Sequence, residues 1–179
     1  MKLLKWTLGA LILLGVLLVL GSLLLPARTH VERSITIQRP PAEVFATLNS
    51  FRRFNEWSPW FAADPQAKYT YEGPVESVGA GMRWSGNQAV GTGSQRITES
   101  QAPTRVVVAL DFGGHPSVAT YTLAGEGAGA TRLTWSFDIE HGYNPMSRWF
   151  GLLFDRMMGP DYERGLSKLK SLLETAPPR

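Results

Sequence analysis

Apolar residues fall along this chain in three patterns. The first is a run from Trp6 to Leu25 without a charged residue. A helix of that length is about 30 Å long at 1.5 Å per residue, the thickness of a bilayer's hydrocarbon core. The second pattern is alternation. Val31, Arg33, Ile35 and Ile37 alternate with Glu32, Ser34 and Thr36, and Leu133, Trp135, Phe137 and Ile139 alternate with Arg132, Thr134, Ser136, Asp138 and Glu140. A period of two puts one face in a core and the other in water, as in an antiparallel strand. The third pattern is helical. Tyr162, Leu166, Leu169 and Leu173 form one stripe, and Glu163, Arg164, Lys168, Lys170 and Glu174 take the opposite side.

Breakers divide the rest. Pro40-Pro41 ends the strand at 31–37, because proline donates nothing to a ladder, and Pro41 then suits the first turn of a helix with Val44, Phe45 and Leu48 on its apolar side. A second short helix is predicted over 51–57, with Phe51, Phe54 and Trp57 on one side and Ser58-Pro59 at its end. Strand-like runs follow at 67–74, 79–88, 91–101, 104–113, 117–125 and 130–141. Their links are too short for parallel crossovers, so an antiparallel meander is predicted. Asn144-Pro145 caps and starts the last helix, which Gly159-Pro160 is expected to break or bend. Before that break, Met146, Phe150, Leu153 and Met157 form a stripe while Trp149, Leu152, Phe154 and Met158 spread around the circumference. A helix lying on a sheet needs one stripe. The excess reads as a cavity mouth or a membrane contact, with a deeply buried helix start as the alternative.

Composition sharpens this division. Twelve of the first 26 residues are leucine, so the 44% hydrophobic content is that of an anchor joined to an ordinary domain. The expected organisation is an anchor at 1–27, a domain at 28–175 and a tail at 176–179. Leu25-Pro26-Ala27 makes a poor cleavage site and the apolar run exceeds that of a signal peptide, so an uncleaved single-pass membrane anchor through residues 6–25 is expected, with a cleaved signal peptide as the alternative. A short basic N-terminus, Lys2 and Lys5, before a long domain favours a domain beyond the membrane, periplasmic in a bacterium. Gly9, Gly15 and Gly21 do not share a face and no GxxxG occurs, so a monomer is expected. Subtracting the two leader lysines from the 18 basic residues leaves 16 against 15 acidic ones, and no basic cluster exceeds Arg52-Arg53, so no nucleic-acid partner is expected.

Little catalytic chemistry is legible. There is no cysteine, and His30, His115 and His141 form no His-x-x-x-His or His-Glu-x-x-His pair, so neither a metal site nor a cofactor is expected. No Gly-x-Ser-x-Gly elbow is present, and Gly79-x-Gly81 and Gly91-x-Gly93 precede strands, not helices, so neither is a phosphate loop. If Met82 and Trp84 face inward, Arg83 faces out; if Val106, Val108, Leu110 and Phe112 face inward, Arg105 and Asp111 face out.

One family carries this order of elements. Arg39-Pro40-Pro41-Ala42-Glu43-Val44-Phe45, Trp57-Ser58-Pro59-Trp60, Val78-Gly79-Ala80-Gly81 leading to Trp84, Ile97-Thr98-Glu99, Leu133-Thr134-Trp135 and Gly165-Leu166-Ser167-Lys168-Leu169-Lys170 resemble the START-like (SRPBCC) superfamily, in its polyketide cyclase/dehydrase and lipid-transport branch. The resemblance spans about residues 31–175. It implies an α+β helix-grip fold, with a seven-stranded antiparallel sheet curled around a long C-terminal helix and a hydrophobic cavity between them. It implies no catalytic residue. A non-catalytic binding domain for a lipid or other hydrophobic small molecule is therefore expected. Tyr69, Tyr71, Trp84, Phe112, Tyr121 and Trp135 are the candidate cavity residues, and Trp57, Trp60, Phe150, Phe154 and Met157 the candidate mouth. A cyclase or dehydratase-type enzyme drawing an acid or base from Glu99, His115, His141 or Tyr143 is one alternative. A protein-interaction module with a collapsed pocket and residues 149–154 exposed is the other.

Overall fold

The computed structural model describes residues 2–127 and 129–176, the side chains of residues 2–4 excepted. Helix α1 (Lys2–Ser22) leads into β1 (Arg28–Ile37). Between β1 and the meander lie α2 (Pro41–Leu48), a 3-10 turn (Phe51–Arg53), α3 (Phe54–Trp57) and α4 (Pro59–Ala63). The meander is β2 (Lys68–Glu72), β3 (Gly81–Ser85), β4 (Thr92–Gln101), β5 (Arg105–Asp111), β6 (Pro116–Glu126) and β7 (Ala130–Glu140), and α5 (Pro145–Thr175) follows.

The seven strands form one antiparallel sheet in the order β1-β7-β6-β5-β4-β3-β2, so the first strand returns beside the last. Register aligns Ile97, Val108, Ala119 and Phe137 across β4 to β7, all buried on the inner face. The charges sit on the other side, as strand parity predicts: Arg83 pairs with Glu72 at 2.6 Å and Arg105 with Glu99 at 3.0 Å. Helix α5 lies across the inner face. Its second half buries Tyr162, Leu166, Leu169 and Leu173 against a core that includes Ile37, Leu48 and Leu133. This is the helix-grip arrangement.

Three elements differ from their sequence reading. First, α5 runs through Gly159-Pro160 as one helix. Arg33 on β1 holds both sides of the proline, bonding Asp155 at 2.9 Å and Glu163 at 2.8 Å, and the buried stripe beyond it is packed on the sheet. Those contacts outweigh the one backbone hydrogen bond that proline forfeits. Second, Ser58-Pro59 ends α3 but also starts α4, because proline is at home in a first helical turn. Third, the strand expected at 79–88 stops at Ser85, where the Asn87 side chain accepts from the backbone N–H groups of Ala89 and Val90 and turns the chain back. Of the expected tail, all but Ala176 lies outside the described residues.

Helix α1 is long and apolar enough, over Lys5–Ser22, to cross a membrane. A signal sequence near an N-terminus can meet the same requirement of length and apolarity. Residues 5–20 of α1 are exposed, and among its described side chains only that of Ser22 at its end is buried.

A candidate ligand cavity

The sheet is wider than the second half of α5 can cover. Under the first half lies a cavity of about 590 Å³. Its floor is aromatic. Tyr162 stacks on Trp135 at 3.9 Å between centroids, Tyr121 lies against Trp135 at 5.4 Å, and Trp60 meets Trp135 edge-on at 5.9 Å. This cluster separates the cavity from the solid core beyond it. The sheet supplies Met82, Trp84, Leu110, Ala119, Phe137 and Ile139, on alternate positions of their strands, and Phe112 follows directly on β5. The helix supplies Met146, Phe150, Phe154, Met158 and Tyr162, spaced by four. Phe154 stacks on Phe137 at 5.5 Å. Met146 and Phe150 line the cavity and are also exposed, 81% and 48%, as is Phe112; these residues mark the mouth.

No Asp, Glu, Lys or Arg is among the residues that line it. The ionisable groups present are tyrosines and two histidines. Burial pushes the Tyr121 and Tyr162 phenols far above their usual range, so both stay neutral. Burial also lowers His141, outweighing the nearby Glu140 charge and favouring the neutral ring. His141 Nε2 lies 2.6 Å from the Thr29 hydroxyl. No carboxylate, ammonium or guanidinium group therefore lines the interior. It retains unspent polarity: among the described residues, Gln95 Nε2 and Trp135 Nε1 are buried without a hydrogen-bond partner.

Of the residues singled out from the sequence, Tyr69, Trp84, Phe112, Tyr121, Trp135, Trp60, Phe150 and Phe154 line this one cavity. Three lie elsewhere. Trp57 is 1% exposed behind the floor, edge-on to Trp135 and Tyr121, because α3 packs directly on the sheet. Tyr71 faces a separate small cleft, with the Arg52 guanidinium 5.1 Å from its ring centre. Met157 is exposed on the outer side of α5. The helix presents the row 146, 150, 154, 158 to the cavity, so Leu153 and Met157 turn outward. Of the four acid–base candidates, His115 and His141 line the cavity; Glu99 is in its surface ion pair and Tyr143 is 86% exposed. Among the described residues no group of three or more His, Asp or Glu is placed to hold a metal ion. Met82, Phe137, Ile139, Met158 and Tyr162 were not singled out as cavity residues. A signal existed for each: the strand residues share parity with Trp84 or Trp135, and the helix residues continue the spacing of four from Phe150.

The profile of one family, described as polyketide cyclase / dehydrase and lipid transport, matches residues 28–174. The chain belongs to that family. Solved structures of the same fold include norcoclaurine synthase from Thalictrum flavum, with a TM-score of 0.65 at 10% identity over 83% of this chain and 88% of that one. A protein of unknown function from Staphylococcus aureus matches with a TM-score of 0.59 at 16% identity, over 83% and 96%. A Chromobacterium violaceum protein matches with a TM-score of 0.55 at 16% identity, over 83% and 99%. At such identities the likeness is one of fold. No curated protein matches the chain. Membership accounts for the architecture, a ligand-binding SRPBCC domain, while the lining described above is this chain's own.

Proposed function

We propose that the chain is a membrane-tethered, non-catalytic binding domain for a lipid or comparable hydrophobic small molecule, with residues 1–27 as the anchor and 28–175 as the domain. The observation that carries this reading is the cavity of about 590 Å³ with an aromatic lining free of Asp, Glu, Lys and Arg. That volume suits one small molecule, and burial of its apolar surface would supply the binding free energy. The neutral phenols and the unpaired Gln95 amide can orient a ligand that carries one polar group.

The test is extraction of the full chain, purified from a lipid-containing host, followed by mass spectrometry of the organic-soluble material. An apolar compound at about one per chain is the expected result. A ligand-free protein that also fails to bind a fluorescent apolar probe would overturn it.

One observation favours a second reading. His141 lines the cavity, burial favours its neutral ring, and its Nε2 lies 2.6 Å from the Thr29 hydroxyl; a neutral imidazole is the proton acceptor that a cyclase or dehydratase-type enzyme would require. A bound compound that is converted by the wild-type chain and recovered unchanged from His141→Ala would establish it. The interaction-module reading anticipated exposed side chains at 149–154, which Trp149, Phe150, Leu152 and Leu153 are, but it also anticipated a collapsed pocket, and the cavity is open.

A further inference from the structure

Arg148 is buried in the first turn of α5, and among the described residues it makes no ion pair. Backbone carbonyls hold it instead. Its Nε donates to Gly142 at 2.8 Å, and its Nη1 donates to Ser22 at 3.2 Å and to Leu23 and Leu25 at 3.5 Å. The last three carbonyls belong to the end of α1 and the turn after it. The C-terminal end of a helix carries the negative end of its dipole, so a guanidinium is favoured there; it supplements the bond that the Ser22 carbonyl already accepts from the Leu25 N–H at 3.1 Å. The next residue makes a second attachment. Trp149 Nε1 donates to the Leu18 carbonyl at 3.0 Å, and its ring lies so close to Gly21 that a Cβ there would sit 3.3 Å away. Leu18 is four residues, or about 6 Å, short of Ser22 along the helix axis. The start of α5 is thus fastened beside the last turn of α1, not beyond it.

That fastening fixes what the apolar excess of α5 faces. Tyr143, Met146, Trp149, Phe150 and Leu153 are all exposed. At about 100° per residue, Met146, Phe150 and Leu153 fall within an arc of about 60°, with Trp149 about 40° beyond it. No acidic residue occurs between His141 and Phe154. Met146 and Phe150 are also the rim of the cavity. Tyrosine and tryptophan at such a site suit the boundary between headgroups and hydrocarbon.

We infer that the Arg148 attachment to the end of α1 holds the mouth of the cavity against the bilayer surface, so that an apolar ligand passes between the leaflet and the cavity without crossing water. This rests on the reading of α1 as a membrane span. The partner is a lipid surface, and the contact is the first three turns of α5.

The chain contains no cysteine, so single cysteines can carry a fluorescent probe. The full chain is reconstituted in vesicles of phosphatidylcholine and phosphatidylglycerol that contain nitroxide-labelled lipid. Labels at Leu13→Cys in α1, at Met146→Cys and Leu153→Cys, and at exposed Lys168→Cys on the far part of α5 report depth. Quenching at 13, 146 and 153 but not at 168 is expected. Quenching at 13 with 146 and 153 no more quenched than 168 overturns this inference and leaves the anchor standing. No quenching at 13 overturns the anchor itself. Adding Arg148→Leu to the Leu153→Cys chain, with folding checked by circular dichroism, is expected to abolish quenching at 153. Quenching that survives the change overturns the role of Arg148.

Discussion

From Gly159 to Thr175, α5 carries one apolar stripe, and Tyr162, Leu166, Leu169 and Leu173 bury it completely. From Pro145 to Met158 the same helix is apolar nearly all round, yet only Arg148 is buried there. Both halves lie over one sheet, so the difference is not one of available surface. In the second half apolar side chains fill the space between helix and sheet, and exposure ends. In the first half they line empty space on one side and face outward on the other. Apolar residues beyond what packing uses are the signature of a surface kept for something else, a ligand inside and, on our inference, a bilayer outside.

Substitutions should therefore act differently in the two halves. The largest effect is expected from Leu169→Ala, at a fully buried position. Urea unfolding of the full chain in detergent should show a loss of about 2–5 kcal/mol. A loss similar to that of a surface change would mean the second half is not the packed one. Next comes Gly151→Ala, where α5 meets β1 closely. The added Cβ would lie 2.5 Å from the Thr29 hydroxyl and 2.7 Å from His141 Nε2, so the helix start must move. A cost of about 1–3 kcal/mol is expected, by the same measurement.

Phe154→Ala separates the roles. Its ring borders the cavity and stacks on Phe137, so stability should fall by about 1 kcal/mol, while affinity for an apolar probe falls about tenfold in a fluorescence titration. A loss of stability as large as that at Leu169 would erase the contrast. Ala119→Phe should change stability less than Phe154→Ala. It adds a ring into the cavity, where there is room, and is expected to displace the co-purifying compound with a melting temperature close to that of the parent chain. Unaltered ligand content would place the ligand elsewhere.

The smallest effect concerns pH. His141 has its pKa lowered by burial, so the unfolded chain binds the proton more readily than the folded one. Stability should be complete above the ordinary histidine value and decline as pH falls through it towards the lower folded value. His141→Gln should flatten that decline in thermal melts between pH 5 and pH 8, a window of roughly the usual histidine range.

Much of this molecule could be read locally. The uncharged run at 6–25 rests on its length alone, and the alternation in β1 and β7 and the stripe of α5 each rest on a period of two or 3.6 within a dozen residues, and period fixes element type and facing. Parity sent Arg83, Arg105 and Asp111 outward for the same reason. Trp84, Phe112, Tyr121 and Trp135 could be picked for the cavity because large aromatic residues on inward positions stand out. Periodicity could not say which inward residues meet space and which meet another side chain. Trp57 and Trp60 are three residues apart, yet one is sealed behind the floor and the other forms it, depending on how α3 and α4 settle on the sheet. Nor could it foresee that α5 would stay whole through Pro160, since Arg33 and its two acidic partners are more than 120 residues apart in the chain. The Arg148 attachment joins residues equally distant. Local order follows from neighbouring residues; empty volume, and the few contacts that aim its opening, exist only once distant segments meet.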